Sequence, residues 1–171
     1  MALTKVIGSG LGAIPAISGA NLTGLTDGQM PAGSVVQVVS ATDSTQRTTT
    51  SASFVTGSNT LAVNITPSST SNKVFVTASF QYGSPSGTVS FHSTLYRGST
   101  NLETTTGVGF GNLFSGSSYH YAHATLNILD APSTTSQVTY QVYFRIGSGS
   151  NAGLINANGS LSSITAFEIA G

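Results

Sequence analysis

The chain has 171 residues, of which five are Lys or Arg and five are Asp or Glu, so its formal charge is zero. Charged residues make up 6% of it, against roughly 25% in an average soluble domain, while Ser and Thr together supply 51 residues. Five basic residues scattered from Lys5 to Arg145 form neither a patch nor a stripe, which excludes nucleic-acid binding through phosphates and polybasic attachment to a membrane surface. Cysteine is absent, and with it any disulfide framework, thiolate metal site or cysteine nucleophile.

Residues 1 to 33 stand apart. They hold seven glycines with Pro15 and Pro31, set among the isolated apolar residues Val6, Ile7, Leu11, Ile14, Ile17, Leu22 and Leu25. Neither a helical nor a strand period is sustained, and glycine this dense weakens both structures. An ordinary solvated linker would be polar, so the reading is an extended N-terminal docking arm that buries those seven side chains on a neighbour. A disordered tail and a first strand packed on its own domain are the alternatives. The opening Met1 to Lys5 lacks the marks of a secretory signal, and synthesis in a cytoplasm is expected. No stretch has the apolar length of a membrane-spanning helix.

From Ser34 to Gly171 the apolar period is two. A Val-rich strand is expected over 34–42, a short one over 53–56, and a third through Leu61, Val63 and Ile65, ended by Pro67. Val74, Val76, Ala78, Phe80 and Tyr82 share one face of a long strand that stops at Gly83-Ser84-Pro85. Val89, Phe91, Ser93 and Leu95 mark the next, ending in Arg97-Gly98-Ser99, and the glycine-broken stretch 105–114 reads as a bulged strand or a loop. Alternation resumes over 119–129, closed by Asp130-Ala131-Pro132, and Val138, Tyr140, Val142, Phe144 and Ile146 form the clearest inward face. A loop over 147–153 precedes a short strand at Leu154-Ile155 and a last one over 162–170. Eight or nine strands without a helix predict an all-β fold, an antiparallel β-sandwich of jelly-roll type spanning 34–171. The outward positions carry Ser, Thr, Gln and Asn in place of the Lys and Glu that usually guard sheet edges. Much of that surface is therefore expected to be covered by copies of the chain or by other proteins, with a self-sufficient monomer as the alternative.

Groups capable of chemistry are few. His120 and His123 lie three apart on a strand, hence on opposite faces, and His92 sits on another strand where a cross-strand histidine pair is conceivable. Asp27, Asp43, Glu103, Asp130 and Glu168 are far apart in sequence, and Asp130 reads as a turn cap acting on its own backbone. No Gly-x-Ser-x-Gly stands between a strand and a helix, and the glycines of 107–116 lack the Lys of a phosphate-binding loop. No catalytic residue, metal or cofactor is expected. Among the aromatic residues Tyr96, Phe110, Phe114, Tyr119, Tyr121 and Tyr143, Tyr119 and Tyr121 share one strand face and are the candidate stacking platform for a sugar, with packing in the core or between subunits as the competing use.

Several stretches carry a resemblance: Met1 to Val6, Ser18 to Leu25, Gly33 to Val39, Val63 to Val74, Leu129 to Ser136 with Tyr140, and Ile164 to Ile169. In these the chain resembles the small fibre-like and surface-decorating structural proteins of tailed bacteriophages, particularly those of aquatic bacteria and cyanobacteria. The resemblance implies a non-enzymatic virion component made in the host cytoplasm and placed on the virion surface. Its partners would be copies of itself, a trimer being favoured, and the major capsid protein or a tail- or fibre-anchoring protein. Fibre members of such families carry a longer shaft, and here the arm runs almost directly into the sandwich. That departure favours a head-decoration or cement protein clamping neighbouring capsid subunits. The alternative is a short tail or head fibre that binds host polysaccharide through its 107–118 and 147–153 loops.

Overall fold

The computed structural model describes residues 30–57, 61–85, 87, 89–103, 109–115, 120–148 and 151–171, without the side chains of 111–115. Among the described residues twelve strands form: β1 (Val35–Asp43), β2 (Arg47–Thr49), β3 (Val55–Thr56), β4 (Ala62–Ile65), β5 (Lys73–Ser84), β6 (Val89–Arg97), β7 (Thr100–Asn101), β8 (Gly111–Ser115), β9 (His120–Asp130), β10 (Val138–Ser148), β11 (Gly153–Ile155) and β12 (Ser162–Ile169). A single 3-10 turn, Ala157–Gly159, is the sole departure toward helix there. The excess over the expected number comes chiefly from β2 and β7, each too short and too polar to show an alternating pattern. The ambiguous stretch near residue 110 resolves as β8, paired antiparallel with β6.

The strands lie in two six-stranded antiparallel sheets. In the first, β1 pairs β12, β12 pairs β5 and β5 pairs β9, while β11 continues past β12 along the same edge of β5 and carries β2. In the second, β4 and β3 share one edge of β10, β10 pairs β6, and β8 and β7 share the far edge of β6. Of the eight longest strands, the first pairs with the eighth, the second with the seventh, the third with the sixth and the fourth with the fifth. That is one long antiparallel ribbon doubled on itself, and rolling it brings β12 beside β5 and β10 beside β6.

The core fills the space between the sheets with the period-two side chains. Val74, Val76, Ala78 and Phe80 of β5 meet Phe91 and Leu95 of β6 and Tyr140, Val142 and Phe144 of β10. Tyr82 stacks on Phe91 at 4.9 Å between ring centroids, and Phe91 lies 5.4 Å from Phe144, so one aromatic chain crosses from sheet to sheet. Each Val, Leu or Phe among them contributes about 1.5–3 kcal/mol on burial, which is how a chain with so few charges and no cross-link holds a fold.

The chain enters the sandwich through a turn. Gly33, with φ +87°, lets Ser34 N–H donate to the Pro31 carbonyl at 3.0 Å, a reversal that a side chain at position 33 would strain. Gly33 N–H then donates to the Ala170 carbonyl at 2.8 Å, and Ala170 N–H to the Ser34 carbonyl at 2.9 Å. The described chain therefore begins beside the end of β12.

Candidate functional site

At the end of the first sheet nearest that entry, the outward positions are apolar. Cross-strand partners share a face, and Val38, Phe167, Phe75 and Leu129 are successive partners across β1, β12, β5 and β9. Val35 and Ile169 form a second, shorter row beside them. These side chains point away from the core: Val35, Val38 and Leu129 are 51%, 52% and 54% exposed and Phe75 36%. Phe75 and Phe167 lie 6.2 Å apart between centroids, and with Val35, Leu129 and Ile169 they line a shallow, wholly apolar hollow of about 400 Å³. Lys73, in register with Ile169, borders it. Beyond it the same face turns polar, in the rows Ser40, Thr165, Thr77, Asn127 and Thr42, Ser163, Ser79, Thr125. Some of those hydroxyls are already paired within the sheet, as in Ser40 Oγ with Thr165 Oγ1 at 3.0 Å. The outward face thus carries an apolar row beside the expected Ser, Thr and Asn, with Lys73 as its one Lys or Glu.

The unbroken period also carries two acids inward. Val74 of β5 has Glu168 on one side and Asp130 on the other, and both share its inward face. Glu168 is fully buried. It accepts hydrogen bonds from Ser68 N at 2.7 Å, Ser68 Oγ at 2.6 Å, Asn72 Nδ2 at 2.7 Å and Gln37 Nε2 at 2.7 Å. Burial pushes its carboxyl upward, but the donors from Ser68, Asn72 and Gln37 outweigh that and hold it below the usual carboxylate range. The carboxylate thus joins β12 to β1 and to the β4–β5 connection with every donor neutral.

Asp130 was expected to cap its own turn, and the structure gives it a different task. Arg97 Nη1 reaches both its oxygens, at 2.9 and 2.7 Å, and Tyr140 Oη donates to Oδ2 at 2.6 Å. Arg97 and Tyr140 are register partners on β6 and β10, so this group closes the end of the sandwich between the sheets. Burial first, then the hydrogen bond to Asp130, pushes the Tyr140 phenol far above its ordinary range. A third buried set lies at the other end, where Asn156, in the left-handed backbone region, donates to Asp43 Oδ2 at 3.1 Å and accepts from Ser162 Oγ. All three sets are clamps between elements, with the acids' oxygens engaged by protein donors.

The remaining sequence candidates divide as follows. Val6, Ile7, Leu11, Ile14, Ile17, Leu22 and Leu25 of the arm lie outside the described residues, as does Tyr119. Tyr121 is 39% exposed on the outer face of the first sheet, beside Gly83, its register partner, whose Cα a methyl group would drive against the Tyr121 ring and the His120 carbonyl. β9 pairs with β5 without a register shift, so His120 and His123 stay on opposite faces. His92 belongs to the other sheet, with Arg145 and Asn112 as its register partners and Ser90 Oγ 2.8 Å from its Nε2. No cross-strand histidine pair forms, because the ribbon places β6 and β9 in different sheets. Among the described residues no group of three or more His, Asp or Glu is placed to hold a metal ion, and no helix is long and apolar enough to cross a membrane. Tyr96 and Tyr143 stack on each other at 4.0 Å on the outer side of the second sheet, with Phe54 edge-on at 6.3 Å and the Arg145 guanidinium 5.1 Å from the Phe54 ring.

No protein-family model matches the chain, and no curated protein matches it in sequence.

The apolar row and the buried Glu168 escaped the sequence reading, although one signal marked both. In Ile164-Thr165-Ala166-Phe167-Glu168-Ile169 the period that sends Ile164 and Ala166 inward also sends Glu168 inward and Phe167 and Ile169 outward.

Proposed function

We propose that this chain is a non-enzymatic structural protein of a tailed-phage virion, a capsid decoration or cement protein built as a jelly-roll sandwich on an N-terminal docking arm. The observation that carries the reading is the apolar row Val38, Phe167, Phe75 and Leu129, which opens at the same end of the sandwich as the entry of residues 30–34. A surface of that kind is made for contact with protein, and it adjoins the root of a segment with seven isolated apolar residues. The doubled-ribbon pairing of the eight longest strands supports the jelly-roll form. The clamped acids support a role without catalysis, since Glu168 and Asp130 already bond to the fold.

In this reading the arm docks on the major capsid protein and the sandwich assembles with further copies, a trimer being favoured. Burial of apolar surface contributes about 25 cal/mol per Å² before ordering costs, so half the arm's apolar residues would add several kcal/mol at each joint. The exposed ring of Tyr121 favours one second reading, a short fibre whose sandwich contacts host polysaccharide. Antibody raised to residues 34–171 and imaged on intact particles decides between them. Label over the head shell is expected; label confined to the tail or to a few projections would establish the fibre, and no label would refute both.

A further inference from the structure

We propose that the outer face of the first sheet, centred on Phe75, Phe167 and Leu129, is the surface through which one copy of this chain binds another. The inference deepens the reading above and rests on it in one respect, that the chain works as several copies. A face that meets itself pairs copies two by two, so this contact makes a dimer, and a trimer would need a second, different contact.

The occupant follows from the chemistry of the face. Its apolar row spans four adjacent strands, and strands lie about 4.8 Å apart with about 6.8 Å between rows on one face. The two apolar and two hydroxyl rows therefore cover roughly 500 Å² of flat area per copy, and two copies together reach the ~1,000 Å² that separates specific interfaces from incidental ones. A partner recognised by charge would find little to select here, because Lys73 at the border is the one charged side chain among the residues of those four strands that point to this face. Hydroxyls, in contrast, both donate and accept, so rows of Ser and Thr are complementary to themselves. Their pairing within the sheet, as between Ser40 and Thr165 and between Thr125 and Ser79, lowers the cost of removing them from water. Face-to-face packing of two antiparallel sheets about 10 Å apart then lets the Phe75, Phe167 and Leu129 ridges interlock. Association on this face also gathers the entry points of the arms, because residues 30–34 lie at its apolar end.

The test uses the full chain. Sedimentation of the wild type over a wide concentration range is expected to show association. Leu129→Lys, at a position 54% exposed at the β9 end of the apolar row, is expected to weaken it by about tenfold or more, because the new charge would be removed from water without a partner. Leu129→Thr keeps strand propensity while removing apolar area, and it is expected to weaken association less. Thermal melts at low concentration confirm that both variants remain folded. A wild type that stays a single copy at every concentration overturns the proposal, whether the face is then free or covered by the chain's own residues. Equal association of wild type and both variants overturns it as well. Antibody labelling of particles is read separately, so association through this face by a protein found on no particle would sink the virion reading alone.

Discussion

Replacing Glu168 by Ala tests the account of how this sandwich is closed. The side chain is fully buried and accepts four hydrogen bonds between 2.6 and 2.7 Å, from Ser68, Asn72 and Gln37. A hydrogen bond to a charged acceptor contributes about 1.5–3 kcal/mol net, and such contributions within one network do not add. The alanine variant leaves the Ser68 N–H and the Asn72 amide pointing into a vacated interior, so the expected loss is about 3–5 kcal/mol. Glu168→Gln keeps an acceptor for Ser68 and Asn72 but opposes its own amide to that of Gln37, and the expected loss is about 1–2 kcal/mol. Urea denaturation followed by circular dichroism measures both. The carboxyl is held below its ordinary range by those donors, so its contribution is complete above the unfolded value of about 4.3 and declines as pH falls through the folded value. The stability gap between wild type and Glu168→Gln should therefore narrow as pH falls below about 4. A loss under about 1 kcal/mol for Glu168→Ala, small against the ordinary mutational range, or a gap independent of pH, would refute the argument.

Tyr140→Phe removes one donor from Asp130 and leaves the Arg97 contacts, so a loss of about 1–2 kcal/mol is expected in the same denaturation assay. In alkali, the phenols of Tyr82 and Tyr96 are raised chiefly by burial, and Tyr140 by burial and by Asp130. Their neutral forms favour the folded chain, so that contribution is complete below about pH 10 and is lost as pH rises through the folded values. An ultraviolet titration should therefore show these tyrosines ionising together with unfolding. Gly83→Ala sets a methyl group against the His120 carbonyl and the Tyr121 ring, forcing β9 away from β5 at an expected cost of about 1–3 kcal/mol; a variant as stable as wild type would show that this edge is loosely held.

What the sequence made legible was the part of the fold governed by local periodicity. Val74 to Tyr82 and Val138 to Ile146 alternate over many residues, and both became long strands whose apolar faces form the core. Short elements were lost because three residues such as Arg47–Thr49 give no period to read. The tasks of the acids were lost for another reason: Glu168 meets Ser68 and Gln37 across separations of 100 and 131 residues, and Asp130 finds Arg97 only once the ribbon is rolled. The outward row was legible in principle, as apolar residues at the positions that alternate with each strand's inward ones. It shows only when Phe75, Phe167 and Leu129 are placed side by side, which needs the strand order.

The distribution of charge carries the argument one step further. Of the five acids, Asp43, Glu103 and Glu168 are buried and Asp130 is held by Arg97 and Tyr140, while Asp27 lies outside the described residues. Asp43, Asp130 and Glu168 thus serve as interior connections, as does Glu103, which accepts from the Gly109 N–H at 3.2 Å, and the outward sheet face is left to hydroxyls and apolar side chains. Association over such a face lacks the long-range attraction that speeds encounters between charged partners. It should therefore change little with sodium chloride, because screening acts on a term that is nearly absent. Sulfate should strengthen it, since salts excluded from protein surfaces favour apolar burial. Sedimentation in the two salts separates the cases: association that collapses as sodium chloride rises would place the contact on charged groups such as Lys73 and Arg145, and the apolar row would lose its role.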